Sequence, residues 1–288
     1  MRRPKPHQIV LAIGVLAAIG TIASGIAPQI THWHDDSPMA REVFVNVPGG
    51  IQVAFYLVMA TMLFVTAWLV SLRVRNYERG GPDDRRLKRS NAERRMRDFR
   101  RGVWMRTLLR DPAAGVMHSM IYFGFLVLFA ATVLLEIDHQ LPTAMKFLHG
   151  TVYEGYAFMA DLFGLVFLGG ILWALARRYV QRPYRIRIKT KPEHAAILGV
   201  LLGIGLTGFG AEAFRIAQQS AAGANMDFEK WSFVGYPLSQ AFDGLAVNTL
   251  ETWHQIWWVG HVLAFVAFLL LLPITDRKST RLNSSHRT

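Results

Sequence analysis

Five histidines and two acids lie in or beside segments that are otherwise almost wholly apolar. They are the residues with chemistry to offer. The stretch Trp253 to Thr275, WHQIWWVGHVLAFVAFLLLLPIT, carries His254 and His261 seven residues apart, so both face one side of a helix. A second apolar stretch carries His118 near its start and His139 at its far end, and His194 opens a third. An imidazole among lipid tails is costly unless something satisfies it, so an intramembrane histidine is a functional hypothesis by default. The chemistry such groups offer is axial ligation of a haem iron held between helices, with His118 and His261 first in line. The plainer reading, hydrogen bonding at the membrane edge, suits His254. Asp161 and Glu212 are the candidate proton-transfer groups, because a carboxyl sheltered from water suits that role. Their structural alternatives are a hydrogen bond to a neighbouring helix for Asp161 and an ion pair with Arg215, three residues on, for Glu212.

These residues need elements that cross a membrane. About twenty apolar residues at roughly 1.5 Å each span a hydrocarbon core of about 30 Å. Six stretches meet that length: Ile9–Pro28, Gly50–Leu72, Ala113–Ile137, Gly155–Ala176, His194–Ala217 and Trp253–Thr275. The fold class expected is therefore all-α, a polytopic membrane bundle of six transmembrane helices. The first stretch lacks a clear small-residue cleavage site and reads as a span, not as a removable signal.

The chain has 288 residues, 52% of them hydrophobic, with a mean hydropathy of +0.23. Its net charge of +12 would suggest nucleic acid in a soluble protein. Here the bases cluster in loops beside spans, so topology explains them and no nucleic-acid partner is expected. Arg73–Arg110 holds fourteen Lys or Arg and Arg177–Lys191 holds seven, whereas the intervening loops hold only Arg41, Lys146 and Lys230. The basic loops, and with them both termini, are expected on the cytoplasmic side. Within Arg73–Arg110, after a break at Gly80–Pro82, Met96, Phe99, Val103, Trp104 and Leu108 recur at helical spacing among bases. That pattern predicts a helix on an anionic leaflet or under a partner subunit.

Other features carry less chemistry. His32, His34, Asp35 and Asp36 resemble a metal cluster but read better as a flexible polar loop. The aromatic-rich loop Gln218–Glu251 suits a cap on the outer face. There is no cysteine, so the chain itself can hold no disulfide and no cysteine-ligated iron–sulfur cluster. The last stretch, Asp276 to His286, resembles the translation of a common sequencing adapter. Residues 1–275 are then the native domain, 276–288 are not native, and the natural chain is expected to continue past Thr275.

The spans from about Gly50 to Thr275 resemble the haem-b membrane subunit of respiratory nitrate reductase, its gamma subunit, and of heterodisulfide-reductase-like proteins. The match rests on His261, the apolar run after it, the Pro273-Ile274-Thr275 step, and the context Met117-His118-Ser119-Met120-Ile121. The family places a second histidine eighteen residues after the first on the last helix, where this chain has Ser279 in the adapter-like text. It places another ten residues after the first on the paired helix, where this chain has Leu128. The resemblance implies one or two haems b. Because the third and sixth spans run antiparallel, His139 lies at a depth nearer His261 and is its substitute partner, while His194 opens the fifth span at a depth near His118 and is the fallback partner there. Gly115, Gly124, Gly164, Gly169 and Gly170 offer candidate gaps for a flat ring.

The function expected is a haem-b electron-transfer module. It would link quinone or quinol, menaquinone for example, to a cytoplasmic iron–sulfur reductase domain in a bacterial plasma membrane, as in actinobacterial-type fusions. It would then be the membrane part of a quinol-dependent oxidoreductase. The competing readings are a haem-free proton or ion transporter, with Asp161, Glu212 and the histidines as a relay, and a bare membrane anchor.

Overall fold

A computed structural model describes residues 4–31, 41, 43–78, 89–104, 111–184 and 192–275. It contains eight helices and, among the described residues, no strand: α1 (Pro6–Thr31), α2 (Gly49–Tyr77), α3 (Arg89–Val103), α4 (Pro112–Gln140), α5 (Gly150–Leu175), α6 (Pro192–Ala221), α7 (Gly235–Gln240) and α8 (Val247–Thr275). Six of them, all but α3 and α7, are long and apolar enough to cross a membrane. All six expected spans are present, and each helix runs past its apolar stretch. Asp111 shows why for α4. Its side chain accepts from Ala114 N at 3.2 Å and Pro112 occupies the first turn, so the helix starts at its cap. Helix α5 runs on through a π-helical segment, Ala176–Gln181, and ends at Arg182, whose φ is +44°.

The long helices pack mainly as pairs, α1 with α2, α4 with α5 and α6 with α8. Contacts of α5 with α6 and of α2 with α8 join the pairs. Small residues set the close approaches. A Cβ on Gly124 would meet the backbone of Phe167 at 2.9 Å, and one on Gly170 would meet Ile121 and Met120 at the same distance. These two glycines were expected to make room for a flat ring; they close the α4–α5 seam instead. Gly164 of that set does line a cavity, described below.

The face carrying the basic residues 89–101, 177–178 and 182 is called inner below. Helix α3 lies there with Met96 and Phe99 exposed among its arginines. Trp104, just past it, packs its ring 6.1 Å from Phe123 of α4. On the opposite face, the segment from Ala222 to Ala246 folds over the bundle through a 3₁₀ turn, Asp227–Trp231, and the short helix α7. Residues 32–40, the Gly80–Pro82 break, Leu108 and everything after Thr275, Ser279 included, lie outside the described residues.

Candidate functional site

Two cavities lie one above the other between the long helices. The inner cleft, about 770 Å³, opens between α4, α5 and α6. His118 and His194 both line it, from different helices, with Arg177, Arg178 and Asp111. His194 Nδ1 is buried with no hydrogen-bond partner among the described residues. Arg177 Nη2 donates to Asp111 Oδ2 at 2.9 Å. The Ala114 amide, followed by the Arg177 charge, holds the Asp111 carboxyl below its ordinary range.

The outer cavity, about 340 Å³, is lined by residues of all the long helices except α1. On α6 its lining begins at Ile204, three residues from Leu201 of the inner cleft, about one helical turn. Phe125 and Phe167, with rings 6.1 Å apart, stand at the division, and Phe268 packs on Phe125 at 5.0 Å. The polar groups of the outer cavity are unusual for a membrane interior: Arg41, Glu136, Asp161, Glu212, Arg215, His254 and His261.

Asp161, 1% exposed, is tied to the cap. Its Oδ2 accepts from Val234 N at 2.6 Å and from Gly235 N at 3.2 Å, at the start of α7. Glu212 lines the same cavity, from α6. A Cβ on Gly235 would strike the Glu212 carboxyl at 2.6 Å, so the glycine lets α7 sit directly on it.

The expected ion pair of Glu212 with Arg215 is not the one that forms. Arg215 Nη1 lies 2.7 Å from Glu229 Oε1 in the cap, with both side chains almost fully buried. Tyr153 and Ser232 also donate to Glu229, at 2.8 and 3.2 Å. Burial works to raise the Glu229 pKa. The charge and hydrogen bond of Arg215 prevail and hold it below the usual range. The reason for the changed partner is tertiary: α6 points Arg215 at a carboxylate fourteen residues on, in the cap.

His261 Nδ1 lies 3.1 Å from the Ile204 carbonyl and 3.1 Å from Thr207 Oγ1. A carbonyl only accepts, and the Thr207 hydroxyl already donates to Gly203 O at 2.6 Å. Nδ1 therefore carries the hydrogen, and Nε2 is left as an acceptor or ligand atom. His254 is 2% exposed and its Nδ1 has no partner among the described residues.

Of the residues singled out in the sequence, the fold brings His118 to His194, and brings His261 to Asp161 and Glu212. His139 lines neither cavity. Its ring packs edge-on against Phe44 at 5.3 Å, so it does not come to His261 across the outer cavity. Reasoning from sequence missed Glu136, Arg41, Glu229 and the burial of His254. Glu136 was visible as an acid inside the third span; it accepts from Gln140 Nε2 at 2.8 Å and from Tyr56 OH at 3.2 Å. Among the described residues, no group of three metal-binding side chains occurs.

Two curated proteins are similar to this chain. The EtfAB:quinone oxidoreductase of Syntrophomonas wolfei is 31% identical over 173 residues, which cover 58% of this chain and 24% of that protein. The probable iron-sulfur-binding oxidoreductase FadF of Bacillus subtilis is 23% identical over 232 residues, covering 76% of this chain and 30% of that protein. The chain thus spans less than a third of either relative. No family model and no solved structure matches it. Both relatives are named as oxidoreductases.

Proposed function

We propose that this chain is a haem-b membrane module of the nitrate-reductase-gamma-like kind, passing electrons between the quinol pool and an iron–sulfur domain at the inner face of a bacterial plasma membrane. The observation that carries it is the pairing of cavities. Two imidazoles from different helices share one, and a carboxyl pair lies in the wall of the other, about a turn away.

The inner cleft fits a haem. His118 and His194 would be its axial ligands, with Arg177 and Arg178 beside them for the two propionates. Haem b there supplies a one-electron iron centre. The outer cavity suits a quinol head group, within the usual range of about 300–1,000 Å³ for small-molecule sites. Asp161 is held by two cap amides, so its carboxyl is aimed before substrate arrives. Together with Glu212 it supplies the proton acceptor that quinol oxidation requires. His261 offers Nε2 to the same space. Bis-imidazole ligation needs imidazoles from two sides, and the other imidazole lining this cavity is His254 on the same helix. We therefore assign His261 to quinol and not to iron. The names of the relatives, a quinone oxidoreductase and an iron-sulfur-binding oxidoreductase, support both ends of this path.

The test is a haem assay on the purified chain and its variants. The wild type is expected to give a six-coordinate low-spin b-type spectrum, lost in His118→Ala and His194→Ala. Asp161→Asn and Glu212→Gln are expected to keep the spectrum and slow haem reduction by quinol by about a hundredfold. A haem-free wild type would favour the proton-transporter reading. Normal reduction in both carboxyl variants would remove quinol from the outer cavity.

A further inference from the structure

Helix α3 (Arg89–Val103) lines neither cavity, and none of its residues is buried. At about 100° of turn per residue, Ala92, Met96, Phe99 and Val103 fall within about 60° of one another on one face. Arg95 borders that stripe on one side, and Arg89 and Arg100 border it on the other. Ser90 sits on the opposite face. Met96 is 55% exposed and Phe99 66%, so the described protein leaves most of the stripe uncovered.

Two observations say what covers it. The first is charge. The helix carries six arginines against two acids, and one of those acids, Glu93, is held by Arg89 at 3.1 Å. A narrow apolar stripe edged by guanidinium groups is the pattern of a helix lying among headgroups. Its apolar side chains enter the acyl region while the long arginine stems bend back to the phosphates. The second is position. Trp104, just past the helix, keeps 62% of its surface exposed while its ring lies 6.1 Å from Phe123 of α4. Helix α4 is long and apolar enough to cross a membrane, so the C-terminal end of α3 is fastened beside a span, on the base-rich inner face. An indole that is part packed and part exposed suits the boundary between lipid and water.

We propose that α3 lies in the plane of the inner leaflet, with its apolar stripe among acyl chains and its arginines on the phosphates of anionic phospholipid. This is independent of the haem and quinol reading, because α3 lines neither cavity. Each arginine near an anionic surface strengthens the partition about fivefold, so Arg95 and Arg100 together contribute about twenty-five-fold.

The experiment uses the full chain in lipid nanodiscs. The chain has no cysteine, so Met96→Cys and Ser90→Cys each give one site for an environment-sensitive NBD label, on the stripe and on the opposite face. The discs hold phosphatidylcholine alone, or phosphatidylcholine with phosphatidylglycerol at about two to one, each with and without brominated acyl chains. In the anionic discs bromination should quench the Met96 label at least fivefold more than the Ser90 label, and in phosphatidylcholine that difference should fall away. Arg95→Gln with Arg100→Gln should lower the ratio of seated to unseated helix about twenty-five-fold, whereas Arg95→Lys with Arg100→Lys should keep it, because an anionic surface reads charge. Neither pair of changes touches a buried contact, so the thermal midpoint in detergent should stay where it is. Equal quenching of the two labels in the anionic discs would overturn the orientation. Quenching of the Met96 label that is as strong in phosphatidylcholine as in the anionic discs would overturn the role of lipid charge. A Met96 label that stays in water in the anionic discs would overturn the proposal outright and leave the stripe to a protein partner.

Discussion

Glu229→Gln is the most informative single change outside the cavity walls. Gln has nearly the same shape, so packing is kept and only the charge is lost. Glu229 is fully buried, Arg215 is 2% exposed, and they lie 2.7 Å apart. Two further guanidinium nitrogens of Arg215, Nε and Nη2, already lack partners. Removing the anion strands a buried cation, which costs about 3–5 kcal/mol. Glu229 belongs to the cap, so the cost should appear as cap opening. At 1.36 kcal/mol per decade it raises the opening constant by roughly two to three and a half decades. The amides to watch are Val234 and Gly235, which donate to Asp161 under the closed cap. Hydrogen exchange with mass-spectrometric readout measures them directly. Tyr153→Phe is the calibrant: it removes one donor to the Glu229 carboxylate, worth about 1.5–3 kcal/mol, and should speed exchange about tenfold to a hundredfold. The double variant Arg215→Met with Glu229→Gln should recover much of the loss, because the stranded charge is gone. If Glu229→Gln exchanges no faster than Tyr153→Phe, the pair does not hold the cap.

The same pair sets a pH response. The folded pKa of Glu229 lies below its unfolded value, so its stabilisation is full above the usual carboxylate range, near 4.3, and is lost as pH falls through the folded value. Cap exchange corrected for intrinsic rates should therefore be flat above about pH 5 and accelerate only in stronger acid. Gly124→Val places a side chain against the backbone of Phe167. It should cost about 1–3 kcal/mol by overpacking, read as a lower thermal midpoint in detergent, whereas the same change at Gly155, where a Cβ meets nothing, should not.

Much of the fold was legible because hydrophobic length is a strong signal. Six apolar stretches became six helices, and the alternation of basic with nearly base-free loops ordered them. The helix ends were less legible. Caps such as Asp111 and polar turns beyond the hydrocarbon lengthen a helix without adding apolar residues. Partner choice was not legible where tertiary contact overrode sequence proximity. Arg215 has Glu212 three residues away yet pairs with Glu229, and His139 has the right depth for His261 but turns to Phe44. The glycines misled for a related reason. Sequence shows that a helix has a gap, but the neighbouring helix decides whether a ring or a backbone fills it. Gly124 and Gly170 were filled by α5 and α4 themselves.

The polar residues of the outer half divide by what structure alone explains. Asp138 caps the loop after α4, accepting from Phe147 N and Leu148 N at 2.7 and 2.9 Å. Glu229 and Arg215 fasten the cap. Each of these has a structural task. Among the described residues, buried atoms without partners remain at Asp138 Oδ2, Asn46 Nδ2 and Gln218 Oε1, but the larger group lines one cavity: unpaired nitrogens of Arg41, Arg215 and His254, with His261 and the carboxyls of Glu136, Asp161 and Glu212 beside them. A membrane bundle gains nothing in stability from polar atoms that its own fold leaves unsatisfied, since each costs free energy in a poorly hydrated interior. Asp161 alone could be assigned to the cap, and His261 alone to its carbonyl. Their shared cavity brings donors and acceptors together in one space. That arrangement, more than any single residue, is what supports the proposed quinol site over a bare anchor.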